Sequence, residues 1–419
     1  MSIQALRGTH DILPIESFLW FRVEETARTL FNLFDFQEIR TPILEEAALF
    51  IHTSGEGSDI VEKEMYAFMD KGERQICLRP EGTAGVVRAY LEHGLGMQKE
   101  VVKLFYLGAM FRAERPQAGR QRQFHQIGIE TIGSASPWTD VENLHLLCQL
   151  LSKLSVEKFT LHLNHLGCKE DRPLIIEELS KVLSPILLEL CENCQVRFQK
   201  NRLRILDCKK SSCREKTLSN AGNIFQLICE KCDRHFQQVQ EGLKILGISY
   251  QRNPYLVRGL DYYTGTVFEV SVEKLGSQDT LVAGGRYDRL IEDLGGKAVP
   301  ATGWALGVER LLMILPKQDA PDSPCIVYVA VTSEFLKGEG FKILSQLREA
   351  KISAMMDFEE KSLKGQLRTA NKIGSLYVLL MGDEEWKRGE VILKNMQAGT
   401  QEIIHKQEVV DVIQHKVKN

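Results

Sequence analysis

No stretch of the 419-residue sequence approaches the roughly 20 consecutive apolar residues that a membrane-crossing helix needs, which excludes a helical span. The opening residues, MSIQALRGTHDILP, lack the apolar core and the small-residue cleavage site of a secretory signal, so a cytoplasmic location is expected. Neither sign of charge dominates: 53 Lys and Arg face 56 Asp and Glu, for a net charge of -3. That balance excludes a broadly basic body, and a nucleic-acid partner would have to be met by local patches. Internal repeats and low-complexity segments are absent. Proline is sparse, 12 in all, yet three fall within LPKQDAPDSP, residues 315–324, which marks a linker. The chain is too long for one ordinary core, so two or three domains are expected.

Cysteine is plentiful. Of ten, six fall between Cys191 and Cys232, as CENC, then CKKSSC from Cys208, then CEKC. Two CxxC pairs with a third pair at longer spacing are able to hold zinc, for instance one structural ion on four of the six thiols. The linkers between the pairs do not match the usual zinc-ribbon spacing, and reduced thiols packed among helices account for the same residues. No metal ligand is therefore assigned. Disulfides are disfavoured in a reducing compartment.

Apolar residues Val23, Ala27, Leu30, Phe31 and Phe34 recur at helical spacing between Phe18 and Phe34. A short strand, FQEIRTP, is stopped by Pro42, and residues 73–79 read as another. EGTAGVVRAYLEHG then forms a helix with Gly94 as its natural end. Residues 103–113 and 123–133 predict a long antiparallel hairpin around RPQAGRQRQ. From Leu166 to about Gly247 the pattern turns helical and cysteine-rich, as an inserted module would. Strand signals return at YLVRGLDYYTGTVFEVSVEK and TLVAGGRYDRLIEDLGG, and GWALGVERLLMIL runs from a strand into a helix. After the linker, CIVYVAV, FKILSQLREA and SLYVLLMG alternate as strand, helix and strand, which predicts a small parallel α/β domain.

Parity along the hairpin places Met110, Arg112 and Glu114 on one face of the first strand, and Phe124, Gln126, Gly128 and Glu130 on one face of the second. Ile127 and Ile129 point the other way. Arg115, Arg120 and Arg122 on the connecting loop suit a polyphosphate or RNA. In GWALGVERL, Gly303 and Gly307 admit a ligand to the backbone, and Arg310 is the only basic residue of an apolar run. Burying it is costly unless an anion meets it. RGLDYYTGTVFEV, residues 258–270, gathers a cation, a carboxylate and two phenols at the head of a strand, as a small polar substrate would require.

Taken together, these segments resemble the class II aminoacyl-tRNA synthetases. EIRTPILEEAALF with its Pro42, FRAERPQAGRQRQFHQIGIETIG, and GWALGVERL ending at Arg310 look like the three class II motifs in order. RGLDYYTGTVFEV and AGGRYDRLI are similar to the histidine-specific segments of the bacterial histidyl-tRNA synthetase family, and LRPEGT to its amino-acid loop. The likeness spans nearly the whole chain. It implies an α+β catalytic domain on a mostly antiparallel sheet over residues 1–320, with a helical, Cys-rich insertion at about 166–247. A C-terminal α/β anticodon-binding domain is implied at 325–419. The implied reaction activates L-histidine with ATP, forming histidyl-adenylate and pyrophosphate with Mg²⁺ on the polyphosphate. Histidine then passes to the 3′ end of tRNA(His).

Residue roles follow from the resemblance. Arg112, Arg120 and Arg310 would hold ATP, and Arg258 would lie beside the substrate carboxylate and the α-phosphate; Arg112, Arg258 and Arg310 form the implied catalytic set. Glu81, Thr83 and Gln126 would bind the α-amino end, and Glu130 and Tyr263 the imidazole, with Tyr262 beside them. A homodimer with the segment around Pro42 at its interface is implied, with no membrane partner. Structural zinc is not implied. A paralogous regulatory subunit of ATP phosphoribosyltransferase would have damaged motif arginines and no C-terminal domain. An RNA-binding module that had lost the chemistry would lack the ATP-site arginines. Here Arg112, Arg258 and Arg310 are present and residues 325–419 are intact.

The chemistry needs these groups. The attacking carboxylate is ionised at neutral pH, so no general base is required. The task is to bring two anions together and stabilise the charge spreading over the phosphorus oxygens, which arginines from separate segments can do. Neutral imidazole offers one donor and one acceptor, and a carboxylate with a phenol meets both. Such a pocket can reject competitors by about 10⁴ or more, because a wrong side chain leaves a buried polar group unpaired.

Overall fold

Pro14 opens the first helix, α1 (Pro14–Leu33), where its fixed φ and missing N–H cost nothing. One stripe of α1 is buried through Trp20, Val23, Ala27, Leu30 and Phe31, and the chain turns out of it at Asp35, φ 60°. The computed structural model describes residues 3–54, 58, 60–116, 119–208, 210–222, 224, 227–276, 279–316 and 325–418. Contacts divide the chain into two units, Met1–Lys317 and Gln318–Asn419. Most of the expected linker, residues 317–324, lies outside the described residues.

In the first unit, α1 leads to β1 (Gln37–Glu38), β2 (Leu44–Glu46), α2 (Ala47–Ser54), β3 (Tyr66–Met69), β4 (Gln75–Leu78) and α3 (Thr83–Glu92). The expected hairpin is β5 (Val102–Phe111) and β6 (Gln123–Ile132), paired without interruption from Val102 opposite Ile132 to Phe111 opposite Gln123. Then come α4 (Pro137–Lys153) and β7 (Thr160–His165), followed by α5 (Asp171–Leu183), α6 (Glu192–Lys200), α7 (Ser211–Ala221) and α8 (Glu230–Ile245). The unit closes with β8 (Gln251–Arg252), β9 (Thr264–Ser271), β10 (Thr280–Arg286), α9 (Leu290–Asp293), β11 (Ala301–Gly307) and α10 (Val308–Ile314).

The main sheet has eight strands in the order β1-β5-β6-β11-β10-β9-β7-β8, and β2-β4-β3 form a small separate sheet. Pairing is antiparallel throughout the centre of the large sheet, with parallel pairs only at the two edges, β1–β5 and β7–β8. This is the mostly antiparallel α+β architecture expected. Its back face carries Phe105, Ile127, Ile129, Leu163, Phe268, Val282 and Trp304, packed with α1, α4 and α8 in one core. The apolar parity of the hairpin thus points to the helices.

Side chains of the insertion, among them Ile175, Leu179, Phe198, Leu203 and Ile205, join a second core with Tyr106, Tyr262, Tyr263 and Val267. Helix α8 instead adds Phe236, Val239 and Leu243 to the first core. Two local expectations change. The β9 strand starts at Thr264, so RGLDYY forms the turn before the strand. Met110 shares the front parity but is fully buried, because the second core covers that end of the hairpin.

The second unit runs β12 (Val327–Val331), α11 (Lys337–Glu349), β13 (Ala354–Met356), α12 (Leu363–Lys372), β14 (Tyr377–Met381), α13 (Asp383–Lys387), β15 (Glu390–Asn395), β16 (Gln401–His405) and α14 (Val409–Lys418). Its sheet, β13-β12-β14-β15-β16, is parallel only across β13, β12 and β14. Strands β15 and β16 return antiparallel: the connection from β14, which holds only the five-residue α13, is shorter than a parallel crossover needs, and a hairpin joins β15 to β16. The domain is α/β as expected, with a mixed sheet in place of a wholly parallel one.

Candidate active site

Glycines open the front face. Gly128 and Gly303 lie in neighbouring strands, and a Cβ at Gly128 would come within 2.3 Å of the Tyr106 ring. At Gly303 a Cβ would come within 2.0 Å of Glu130 Oε2. Tyr106 therefore lies over β6 at Gly128, and Glu130 over β11 at Gly303.

Glu130 is the centre of one group. It sits on β6 at 1% exposure and accepts hydrogen bonds from Thr83 Oγ1 (2.7 Å) and the Tyr287 hydroxyl (2.5 Å). Burial pushes its carboxyl up to about 8; the two hydroxyls pull it down, and Glu81 adds to the upward push. Glu81 stands at the N-terminus of α3, its oxygens accepting the backbone N–H groups of Thr83 (2.7 Å) and Ala84 (2.8 Å). Burial raises its pKa as well, against those two donors. The Tyr262 and Tyr263 rings lie 4.7 Å apart, tilted by 40°, and Tyr262 meets Tyr287 edge-on at 5.8 Å. Burial holds the Tyr263 phenol above its ordinary value, with Arg258 lowering it and Glu130 raising it, so all three lie within electrostatic reach. The Tyr106 hydroxyl and Gln126 Oε1 are buried without hydrogen-bond partners among the described residues. Orphaned polar atoms of this kind are expected where a ligand completes the network.

The arginines form the second group. Arg258 donates to Glu269 Oε2 (2.6 Å), lies 5.8 Å from the Tyr263 ring centre, and keeps a buried Nε without a partner. Arg112 donates to Pro80 O (2.9 Å) and stacks on Phe124 at 5.3 Å. Arg120 pairs with Glu114 at 2.8 Å, a carboxylate that Arg112 also approaches at 3.8 Å. Arg310 donates to the carbonyls of Gly119 and Thr280. Burial lowers its pKa, and the charges of Arg120 and Arg112 lower it further, against Glu114 and Glu269. Its position is fixed by the preceding residue: Glu309 accepts the His125 backbone N–H at 3.0 Å with both oxygens, tying α10 to β6.

The fold thus gathers Glu81, Thr83, Glu130, Tyr262 and Tyr263 into one polar pocket, and Arg112, Arg120 and Arg310 into one cationic cluster. Arg258 and Glu269 stand between the two. Gln126 is on the same face, opposite Gly108 and Gly307 in its two neighbouring strands. Arg122 is different. Its stem packs over Gly8 and its backbone N–H bonds to Gly8 O at 2.7 Å, which leaves it at the N-terminal segment. Tyr106, Tyr287 and Glu269 were not singled out from the sequence. Tyr106 shares parity with Arg112, and Tyr287 lies in AGGRYDRLI, so both signals were present. A cavity of about 200 Å³ lies against α1, lined by Trp20, Arg28, Glu38, His125 and Ile127 among others, and no arginine of the cluster reaches it.

Known proteins resemble this chain over nearly its whole length. The family model for histidyl-tRNA synthetase matches residues 8–180 and 186–311, and an anticodon-binding domain model matches residues 325–416. A histidine–tRNA ligase of Natranaerobius thermophilus is 46% identical over 404 residues, 96% of each chain. One from Thermodesulfovibrio yellowstonii is 45% identical over 418 residues, 99% of each chain. The crystal structure of apo Staphylococcus aureus histidyl-tRNA synthetase superposes with a TM-score of 0.83 at 34% identity, covering 98% of this chain and all of that one.

Proposed function

The chain belongs to the histidyl-tRNA synthetase family, and from that premise we propose how its residues divide the work of ligating histidine to tRNA at the expense of ATP. The imidazole lies between Glu130 and Tyr263. Glu130 accepts from one ring nitrogen and the phenol meets the other. Tyr106, Tyr262 and Tyr287 wall the ring, and Glu81, Thr83 and Gln126 take the α-ammonium.

The carboxylate then extends toward Arg258. That guanidinium spans the nucleophile and the α-phosphate, while Arg112, Arg120 and Arg310 hold the polyphosphate. The observation that carries this reading is Arg310 itself. Half-buried beside Arg120 and Arg112, which with burial hold its pKa below the ordinary value, it is a cation that a bound polyphosphate would stabilise. The glutamates Glu114 and Glu269 are hard oxygen donors within the same cluster and would hold Mg²⁺ with the nucleotide. That ion would neutralise polyphosphate charge. Bond formation between the carboxylate oxygen and the α-phosphorus expels pyrophosphate, and no side chain has to move a proton.

Transfer follows on tRNA(His), gripped at the anticodon by the C-terminal unit. On α12, Lys364, Arg368 and Lys372 recur every fourth residue, are exposed, and form no ion pair among the described residues. Lys361 is excluded from that stripe by its pairing with Asp357 at 2.9 Å. Exposed Phe335, Phe341 and Phe358 near the carboxyl ends of β12 and β13 supply surfaces on which bases can stack. A homodimer through the small sheet fits the exposed apolar side chains of Ile43, Leu44, Phe68 and Met69 beside Pro42. No helix among the described residues is long and apolar enough to cross a membrane, and we place the enzyme in the cytoplasm. Histidine-dependent ATP–pyrophosphate exchange tests the assignment. Exchange supported equally by another amino acid would refute the pocket as drawn.

A further inference from the structure

Outside the site, the insertion and the turn that leads into it carry two quartets of metal-ligand side chains. Cys191, Cys194, Cys208 and Cys213 form one, and Cys168, Asp171, Cys229 and Cys232 the other; within each, the ligand atoms lie within 4.8 Å of one another. The sequence offered one ion for four of six thiols. The fold instead splits those six, and it recruits Cys168 and Asp171, which lie outside the 191–232 cluster. We propose that this region binds two zinc ions, one on four thiolates and one on three thiolates and the Asp171 carboxylate.

The spacing suits tetrahedral coordination. Zinc–thiolate bonds of about 2.3 Å place neighbouring sulfurs about 3.8 Å apart. Cys191 and Cys208 have their sulfurs 3.7 Å apart, and Cys168 and Cys229 theirs at 4.0 Å. A disulfide needs about 2.05 Å, and all of these cysteines are free. Asp171 is held in place by accepting the N–H groups of Cys168 and Cys229, each at 3.0 Å, one on either oxygen. Each oxygen keeps a lone pair for a metal, and such bonds orient a ligand. Thiolate-rich tetrahedral sets select zinc over hard cations.

The insertion has reason to need such ties. Its α6 and α7 are short, at 9 and 11 residues, and are joined by irregular turns. Elements of that size bury little apolar area and are commonly stapled. Both sites also flank residues that hold the turn after Arg258. Asn201, between Cys194 and Cys208, donates to Asp261 Oδ1 at 2.5 Å, and Arg172, next to Asp171, donates to Asp261 O at 3.0 Å. Zinc in these sites would fix the floor on which the turn from Arg258 to Tyr263 rests.

Elemental analysis of the full-length protein, purified without chelator from zinc-supplemented cells, tests the proposal. About two zinc ions per chain are expected, falling to about one in Cys191→Ser and to about one in Cys229→Ser. Cys229 is exposed, so its substitution leaves packing intact. Removing zinc with a chelator should lower the unfolding midpoint, and restoring it should bring the midpoint back. Less than about a tenth of an equivalent in the parent overturns the proposal, as do iron in place of zinc or disulfides in place of metal. A single equivalent that survives Cys229→Ser retracts the Asp171 site; one that survives Cys191→Ser retracts the four-cysteine site.

Discussion

Glu130 titrates in an unusual range, and Glu130→Gln should reveal it in two measurements. The folded carboxyl is pushed up to about 8, chiefly by burial, from an ordinary value of 4.5. The folded protein therefore holds a proton that the unfolded chain releases above pH 4.5. The stability this contributes is fully present below that pH and is lost as pH rises toward 8. One unit is worth about 1.36 kcal/mol, so the loss across the window is several kcal/mol, roughly 3–5. An amide is close in shape and cannot ionise, so Glu130→Gln should remove this part of the slope. Denaturant midpoints of the catalytic unit's transition, taken between pH 5 and 8.5, measure it directly. Parent and variant should lie close at pH 5 and diverge toward pH 8, with the variant the less pH-sensitive.

The same proton governs substrate binding. Near pH 7 free Glu130 is mostly protonated, whereas an acceptor for the imidazole N–H is an ionised carboxylate. Histidine binding should release about one proton, and above pH 7, where free imidazole is already neutral, affinity should still rise with pH. Calorimetry in two buffers of different ionisation enthalpy counts that proton. In Glu130→Gln the release should vanish and the histidine KM should rise by about 10² or more, since the amide leaves a buried mismatch. An unchanged pH slope of stability in the variant, together with parental histidine affinity, would refute the reasoning.

Arg258→Ala should lower the pyrophosphate-exchange rate by roughly 10²–10³, about 3–4 kcal/mol, while sparing histidine affinity, because its contact matters as charge develops; parental exchange kinetics would remove Arg258 from the chemistry. Gly303→Ala should abolish histidine-dependent exchange, because the new Cβ meets Glu130 Oε2 at 2.0 Å and the Ile129 carbonyl at 2.3 Å; normal exchange in a folded variant would show that both β6 groups can give way. A chain ended near Pro321 should keep exchange and lose most tRNA charging, and Lys364→Glu with Arg368→Glu should raise the tRNA KM without touching exchange. Full charging by the shortened chain would sink the anticodon role.

How much of this was legible in the sequence depends on the range of the interaction. The hairpin was legible, because alternation along Val102–Phe111 and Gln123–Ile132 is a local signal and Ile127 and Ile129 mark its buried face. The motif arginines were legible for a related reason: a lone cation in an apolar run needs an anion wherever the chain folds. The partners that tune them were hidden. Nothing local says that Tyr287 will reach Glu130 across 157 positions, or that Glu309 will clamp the backbone of His125 across 184. Those depend on strand order, since β11 lies between β6 and β10 and brings Gly303 against Glu130. The cysteines make the same point in reverse. Their CxxC spacing was visible, but which pairs join was not, because Cys168 and Cys229 are brought together only when α5 and α8 close the insertion. Spacing along a chain identifies ligands that share a turn. Only the fold decides which turns share an ion.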